Sequence, residues 1–232
     1  MTAPAVRGIA FDWGGVFTVG TFDGRAIARL ARLYGVDEAL MRPRYLELME
    51  LFEVGGFDLP TFMARLSRAI AGAAAGAPGR TPDAPNGGVD EGAFREAFLG
   101  APLERPAMYA LLAGIPEGTV VGMLSNNVPV LCDRVRDDPR AARIERFVFS
   151  NEIGVRKPDP AAFMALAESL LLPPHEIVFV DDAPRNVDAA RALGFQALWL
   201  DTPATFAARW RATLPTLASL VDGPSWTDGA EG

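Results

Sequence analysis

Five short apolar runs recur along the chain, each stopping at small or polar residues: Gly8-Ile9-Ala10-Phe11, Val120-Val121-Gly122-Met123-Leu124, Phe147-Val148-Phe149, Ile177-Val178-Phe179-Val180 and Ala197-Leu198-Trp199-Leu200. Runs this short, with no polar alternation, fit strands buried on both faces. Helical patterns separate the later ones. Asp159 as N-cap and Pro160 at the first helical position open a helix over Ala161 to Leu171, with Phe163, Leu166, Leu170 and Leu171 on one face. Another runs from about Pro184 to Leu193 and stops at Gly194, where a C-terminal glycine is expected. Strands alternating with helices predict an α/β fold with a parallel sheet covered on both sides.

Residues 18–105 break that pattern. Helical periodicity dominates there, as in Ile27-Ala28-Arg29-Leu30-Ala31-Arg32-Leu33, Tyr45-Leu46-Glu47-Leu48-Met49 and Phe62-Met63-Ala64-Arg65-Leu66, and no strand is evident. The segment reads as a helical cap inserted into a core formed by residues 1–17 and 106–232. Within it, Ala71 to Val89 is rich in Ala, Gly and Pro and is expected to be a flexible loop. Ser225 to Gly232 is expected to fray as a tail.

Composition then removes several classes of function. A net charge of −7, with arginines scattered as at Arg25, Arg29, Arg65 and Arg143, argues against nucleic acid as a partner. No apolar run approaches the roughly 20 residues that span a bilayer, and Met1-Thr2-Ala3-Pro4 does not open a signal peptide, so a cytoplasmic location is expected. Cys132 is the only cysteine, which rules out an internal disulfide and a cysteine-rich zinc site. His175 is the only histidine, in a proline-rich turn, and no Gly-x-Ser-x-Gly elbow accompanies it. Carboxylates are left to do the chemistry.

In open α/β sheets, ligands bind beyond the carboxyl ends of the strands. The residues that follow the runs are therefore the informative ones: Asp12-Trp13-Gly14-Gly15, Ser125-Asn126, Gly154-Val155-Arg156-Lys157-Pro158 and Asp181-Asp182. Brought together, they fit phosphoryl transfer. An aspartate can attack phosphorus and form an aspartyl-phosphate. Repulsion between anions then calls for Mg²⁺, for which Asp12, Asp182 and the carbonyl near Gly14 offer hard oxygens. Lys157 supplies a positive charge and Ser125 a hydrogen bond to the transferring group. Trp13, Gly15 and Asn126 stand beside these groups as candidate substrate contacts, with core packing the alternative for Trp13. Taken singly, each motif is a common turn or helix cap; their order and their shared position at strand ends carry the reading.

The ordered set Phe11-Asp12-Trp13-Gly14-Gly15-Val16, Leu124-Ser125-Asn126, Gly154-Val155-Arg156-Lys157-Pro158 and Val180-Asp181-Asp182 with Asn186 resembles the four motifs of the haloacid dehalogenase superfamily. The resemblance implies a Rossmann-like core with a helical cap after the first motif. It also implies Asp12 as nucleophile and metal ligand, Gly14 ligating through its carbonyl, and Asp182 ligating directly. Asp181 would reach the ion through a water, with Asn186 behind it. Phosphatases of that superfamily usually place a second Asp two residues after the nucleophile, to protonate the leaving group; Gly14 stands there instead. In this the chain is similar to a bacterial subgroup of sugar-phosphate phosphatases. The missing acid predicts a preference for anomeric sugar, acyl or aryl phosphates as substrates. A small phosphorylated metabolite is thus the expected substrate. The alternatives are a 2-haloacid dehalogenase, disfavoured by the Asp181-Asp182 pair, and a non-catalytic binding module. Phe22, Arg25, Phe52 and Glu53 are the cap residues expected to set specificity.

Overall fold

The computed structural model describes residues 5–20, 22–75, 89–100 and 103–227. Five strands among them, β1 (Gly8–Phe11), β2 (Val120–Ser125), β3 (Arg146–Phe149), β4 (Ile177–Asp181) and β5 (Gln196–Trp199), form one sheet in the order β3-β2-β1-β4-β5. All its ladders are parallel, and β1 lies at the centre. The helices are α1 (Phe22–Tyr34), α2 (Glu38–Phe52), α3 (Leu59–Ala75), α4 (Glu91–Leu99), α5 (Pro106–Gly114), α6 (Pro129–Arg136), α7 (Ser150–Ile153), α8 (Pro160–Leu170), α9 (Pro184–Ala192) and α10 (Pro203–Thr213).

Each apolar run is a strand because both sheet faces are covered. Ile9, Phe11, Val178 and Val180 pack with Met108, Leu112, Phe206 and Trp210 on one side. Ala10, Ile177 and Phe179 pack with Phe163, Leu166 and Val187 on the other. Successive side chains on a strand point to opposite faces, so both sets must be apolar.

The insertion between β1 and α5 builds its own core. Ile27, Leu30, Tyr45, Phe52, Phe62, Phe94 and Phe98 of α1 to α4 form one buried cluster, with Phe52 and Phe62 stacked at 4.7 Å. The chain leaves and returns through a short antiparallel contact. Thr18 bridges Glu104, Val19 N–H donates to Leu103 O at 2.7 Å, and Arg105 N–H donates to Phe17 O at 2.9 Å.

Three expectations are corrected. Residues 71–75 of the expected flexible loop belong to α3, a tract in which alanine favours helix; residues 76–88 of that loop lie outside the described residues. Ser225 and Trp226 do not belong to a frayed tail but to a helical turn, Pro224–Trp226. Trp226 is buried, its ring 5.5 Å from Phe206, and its large apolar surface docks this end of the chain; residues 228–232 lie outside the described residues. Leu171 does not share the apolar face of α8. It caps the helix in the left-handed conformation (φ 55°), donating to Ala167 O and Glu168 O, and is 85% exposed while Leu172 takes the buried place. Among the described residues no helix is long and apolar enough to cross a membrane.

Candidate active site

β1, β2 and β4 are adjacent and in register, so their carboxyl ends meet at one edge. Asp12 follows β1 and stays in line with it, donating its N–H to Val180 O at 2.8 Å. Ser125 ends β2, Asp181 ends β4 and Asp182 is next. The connection from α7 to α8 brings Lys157 between them. Its Nζ lies 2.9 Å from Asp12 Oδ1 and 2.7 Å from Asp181 Oδ2, and the residue is fully buried.

A buried ammonium is tolerated only where anions offset its lost hydration. Burial alone would lower the Lys157 pKa, but Asp12 and Asp181 hold it above its ordinary value, so the side chain is a fixed cation. Asn126 positions it through the main chain: its Nδ2 donates to Lys157 O at 3.0 Å, and its Oδ1 accepts from Lys157 N–H at 2.8 Å. Asn126 lines the cleft, but this reciprocal pair makes it chiefly a support for Lys157.

The three aspartates differ in what already touches them. Asp181 is fully buried; Oδ1 accepts from Ala183 N–H at 2.9 Å and Asn186 Nδ2 at 3.0 Å, while Oδ2 takes Lys157. Asp12 Oδ1 holds Lys157 and its neighbour Trp13 N–H at 2.7 Å, which leaves Oδ2 for chemistry. Burial raises the Asp12 pKa most strongly; Lys157 opposes that, and Asp181 and Asp182 add to it. Asp182 lines the cleft, its pKa raised by burial and then by Asp181. Ligating oxygens of these three residues lie within 4.8 Å of one another. Lys157 touches Asp12 and Asp181, and Arg105 acts on Asp182 without cancelling the rise in its pKa; a hard divalent cation fits the remaining negative charge. Because Asp181 is already satisfied by donors, Asp12 and Asp182 are the oxygens best placed to ligate directly.

The glycines have separate parts. Gly15 has φ 75°, and a Cβ there would fall 2.0 Å from Asp182 Oδ2, so its missing side chain makes room for that carboxylate. A Cβ on Gly14 would meet nothing within 4 Å. Trp13 is 8% exposed; it belongs to the core beneath the sheet edge and also lines the cleft.

The cleft is open to solvent and spans about 800 Å³ with that open space counted in. Asp12, Trp13, Gly14, Gly15, Ser125, Asn126, Lys157, Asp182 and Asn186 all line it. From the insertion, Phe22 and Glu53 line it. Phe52 does not: it is fully buried in the helical cluster, and Arg25 is not among the lining residues. Asp23, Met49, Arg156 and Arg185 line it without having been singled out. Arg156 and Arg185 carried a usable signal, the first beside Lys157 and the second beside Asn186 in the strand-end segments. Asp23 is fixed by Tyr45, whose hydroxyl donates to Oδ1 at 2.9 Å.

Comparison with known proteins gives a consistent picture. A sequence model of haloacid dehalogenase-like hydrolases matches residues 6–194. Phosphoserine phosphatase of Thermus thermophilus is 30% identical over 142 residues, 60% of this chain and 55% of that protein. A phosphatase of Mycobacterium tuberculosis is 30% identical over 137 residues, 58% of this chain and 60% of its own length. The chain thus spans little more than half the length of these curated relatives. Among solved structures, a predicted HAD-like hydrolase of Porphyromonas gingivalis superposes with TM-score 0.68 at 23% identity, covering 95% of this chain and 100% of the other. A HAD family enzyme of Bacteroides thetaiotaomicron, in complex with magnesium and inorganic phosphate, superposes with TM-score 0.65 at 19% identity, covering 84% and 94%. At these identities the two structures speak for the fold.

Proposed function

Because this chain belongs to the haloacid dehalogenase-like hydrolases, we propose that it hydrolyses small phosphate monoesters through an aspartyl-phosphate on Asp12. The observation that carries this reading is the contact of Asp12 with buried Lys157 beside Asp181 and Asp182, at the open edge of a parallel sheet. Asp12 Oδ2 attacks phosphorus while Lys157 and the Trp13 N–H hold Oδ1. Lys157 offsets charge on the transferring group, and Ser125 donates a hydrogen bond to one of its oxygens. Mg²⁺ held by Asp12, Asp182 and the Gly14 carbonyl would screen nucleophile from phosphoryl group. Asp181 and Asn186 keep Lys157 and the β4 end in place. Residues 18–105 act as a cap whose Phe22 and Glu53 close the cleft, and residues 1–17 and 106–232 act as the catalytic core.

A phosphatase screen over a metabolite panel, with and without Mg²⁺ and with 2-haloacids as a parallel arm, tests the reading. Mg²⁺-dependent phosphate release is expected. Halide release without phosphate release would replace it with the dehalogenase chemistry. Asp12→Asn changes shape very little and should abolish turnover while circular dichroism stays native. Substantial residual turnover in that folded variant would remove Asp12 as nucleophile.

A further inference from the structure

Glu53 follows α2 directly and lines the cleft. Its position is fixed on three sides. Its N–H donates to Met49 O at 2.8 Å, Ser150 Oγ donates to its carbonyl at 2.5 Å, and Arg156 Nη2 stands 3.1 Å from Oε2. Ser150 Oγ also accepts from Asn127 N–H at 2.9 Å, which ties the end of α2 to the loop after β2. Arg156 is the chain neighbour of Lys157, whose Nζ touches Asp12, so Glu53 and the nucleophile are anchored on consecutive residues.

The carboxyl itself is unusual. The residue is 8% exposed, and Oε2 is buried outside hydrogen-bond geometry with any donor, sealed against Arg156. With Oε2 held there, a proton on this cleft-lining residue would sit on Oε1. In the same cleft, the space beside Gly14 is open, where a Cβ would meet no atom within 4 Å.

We propose that Glu53 is the general acid–base of this site, giving its proton to the departing oxygen and filling the part that Gly14 leaves vacant; the proposal rests on the phosphatase reading above. In the first half-reaction Asp12 Oδ2 bonds to phosphorus as the bond from phosphorus to the ester oxygen breaks. The ester oxygen takes the Glu53 proton and leaves as an alcohol, and Glu53 becomes a carboxylate. In the second, Glu53 takes a proton from the water that attacks phosphorus. Phosphate leaves, Asp12 is a carboxylate again, and Glu53 is again neutral.

The electrostatics suit that cycle. Burial pushes the Glu53 carboxyl up to about 7, and Asp23 on α1 adds to the rise. Arg156, Lys157 and Arg185 on α9 pull it down, without cancelling the burial. Tyr45 on α2, bonded to Asp23, also faces it. A group with pKa near the working pH is the efficient donor and acceptor. Because the acid form does the work on the ester, turnover of poor leaving groups should fall as pH rises through about 7. An enzyme with this acid has no need of the activated esters that Gly14 alone would demand.

The test is a series of phosphate esters, from p-nitrophenyl through phenyl to alkyl phosphates, on the full chain and on Glu53→Gln. Wild type should show a shallow dependence of kcat on leaving-group pKa. Glu53→Gln should lose about 10²- to 10⁴-fold on alkyl phosphates, and far less on p-nitrophenyl phosphate, whose phenolate leaves without a proton. The alkaline limb of the alkyl phosphate profile should vanish in the variant. Adding Gly14→Asp to Glu53→Gln should restore alkyl phosphate turnover. Equal losses on all esters, as for a residue that only binds substrate, would overturn the proposal. So would a steep wild-type slope, which needs no variant to fold. A wild-type chain inert toward every ester would overturn the phosphatase reading and Glu53 with it, whereas turnover with unchanged slopes would remove Glu53 alone.

Discussion

Gly15 sits at φ 75°, where its missing Cβ leaves Asp182 Oδ2 the space it occupies, while Gly14 has an ordinary φ and open surroundings. The two neighbours should therefore respond unequally to substitution. Gly15→Ala adds a left-handed strain and a collision with a partly buried carboxylate, so it should destabilise the fold and displace Asp182. Gly14→Asp meets neither obstacle and should lower the melting temperature far less than Gly15→Ala, its cost being the added carboxylate beside Asp12, which Mg²⁺ should offset. Thermal melts of both variants check this. A Gly15→Ala protein as stable as wild type, with Mg²⁺ affinity unchanged, would mean that Asp182 has another place to go. Glycine is thus tied at Gly15 to the metal-ligand geometry, and at Gly14 to nothing local.

At the scale of elements, what was readable depended on how many residues shared a signal. The five strands were legible because each is a contiguous apolar run, and parallel pairing buries both faces. The Asp12, Lys157 and Asp181-Asp182 clusters were legible because parallel strands deliver their carboxyl ends to one edge. Features that depend on a single residue were not. Leu171 carries the periodicity of α8 but turns away through a left-handed cap. Phe52 and Glu53 are adjacent at the end of α2, and periodicity cannot say which one faces the cleft. Packing decides it: Phe52 stacks on Phe62 at 4.7 Å and on Phe57 at 5.6 Å, and this rotates Glu53 to the cleft. Phe62→Ala should then do two things. It should lower the unfolding free energy by about 3–5 kcal/mol, as for other buried aromatics, measured in denaturant. It should also depress turnover of alkyl phosphates more than of p-nitrophenyl phosphate, because a loosened Phe52 no longer fixes Glu53. Uniform losses across both esters would separate Phe62 from the cleft.

For the whole molecule, the decisive quantity is charge held where water is scarce. The chain carries −7 overall, and its cleft concentrates Asp12, Asp181 and Asp182 around one lysine. In the metal-free protein that cluster opposes folding, since burial and mutual repulsion push Asp12 and Asp182 up from the ordinary carboxylate range. A cation that binds only the folded chain converts the same cluster into a stabilising one. At a hundred times its dissociation constant, Mg²⁺ should add about 2.7 kcal/mol. For a chain of this size that is a rise of roughly 5–10 °C in Tm. Asp182→Ala separates the two effects. Without metal the variant should melt no lower than wild type, because it removes a repelled carboxylate and leaves Asp181 with its own donors. With Mg²⁺ its rise should shrink to a small fraction, because Asp12 alone cannot replace a two-carboxylate site. Melts in EDTA and across a Mg²⁺ titration provide both numbers on each protein. A full Mg²⁺ rise in Asp182→Ala would place the ion elsewhere. A variant markedly less stable in EDTA would instead make Asp182 a structural residue, held by contacts stronger than the repulsion it suffers.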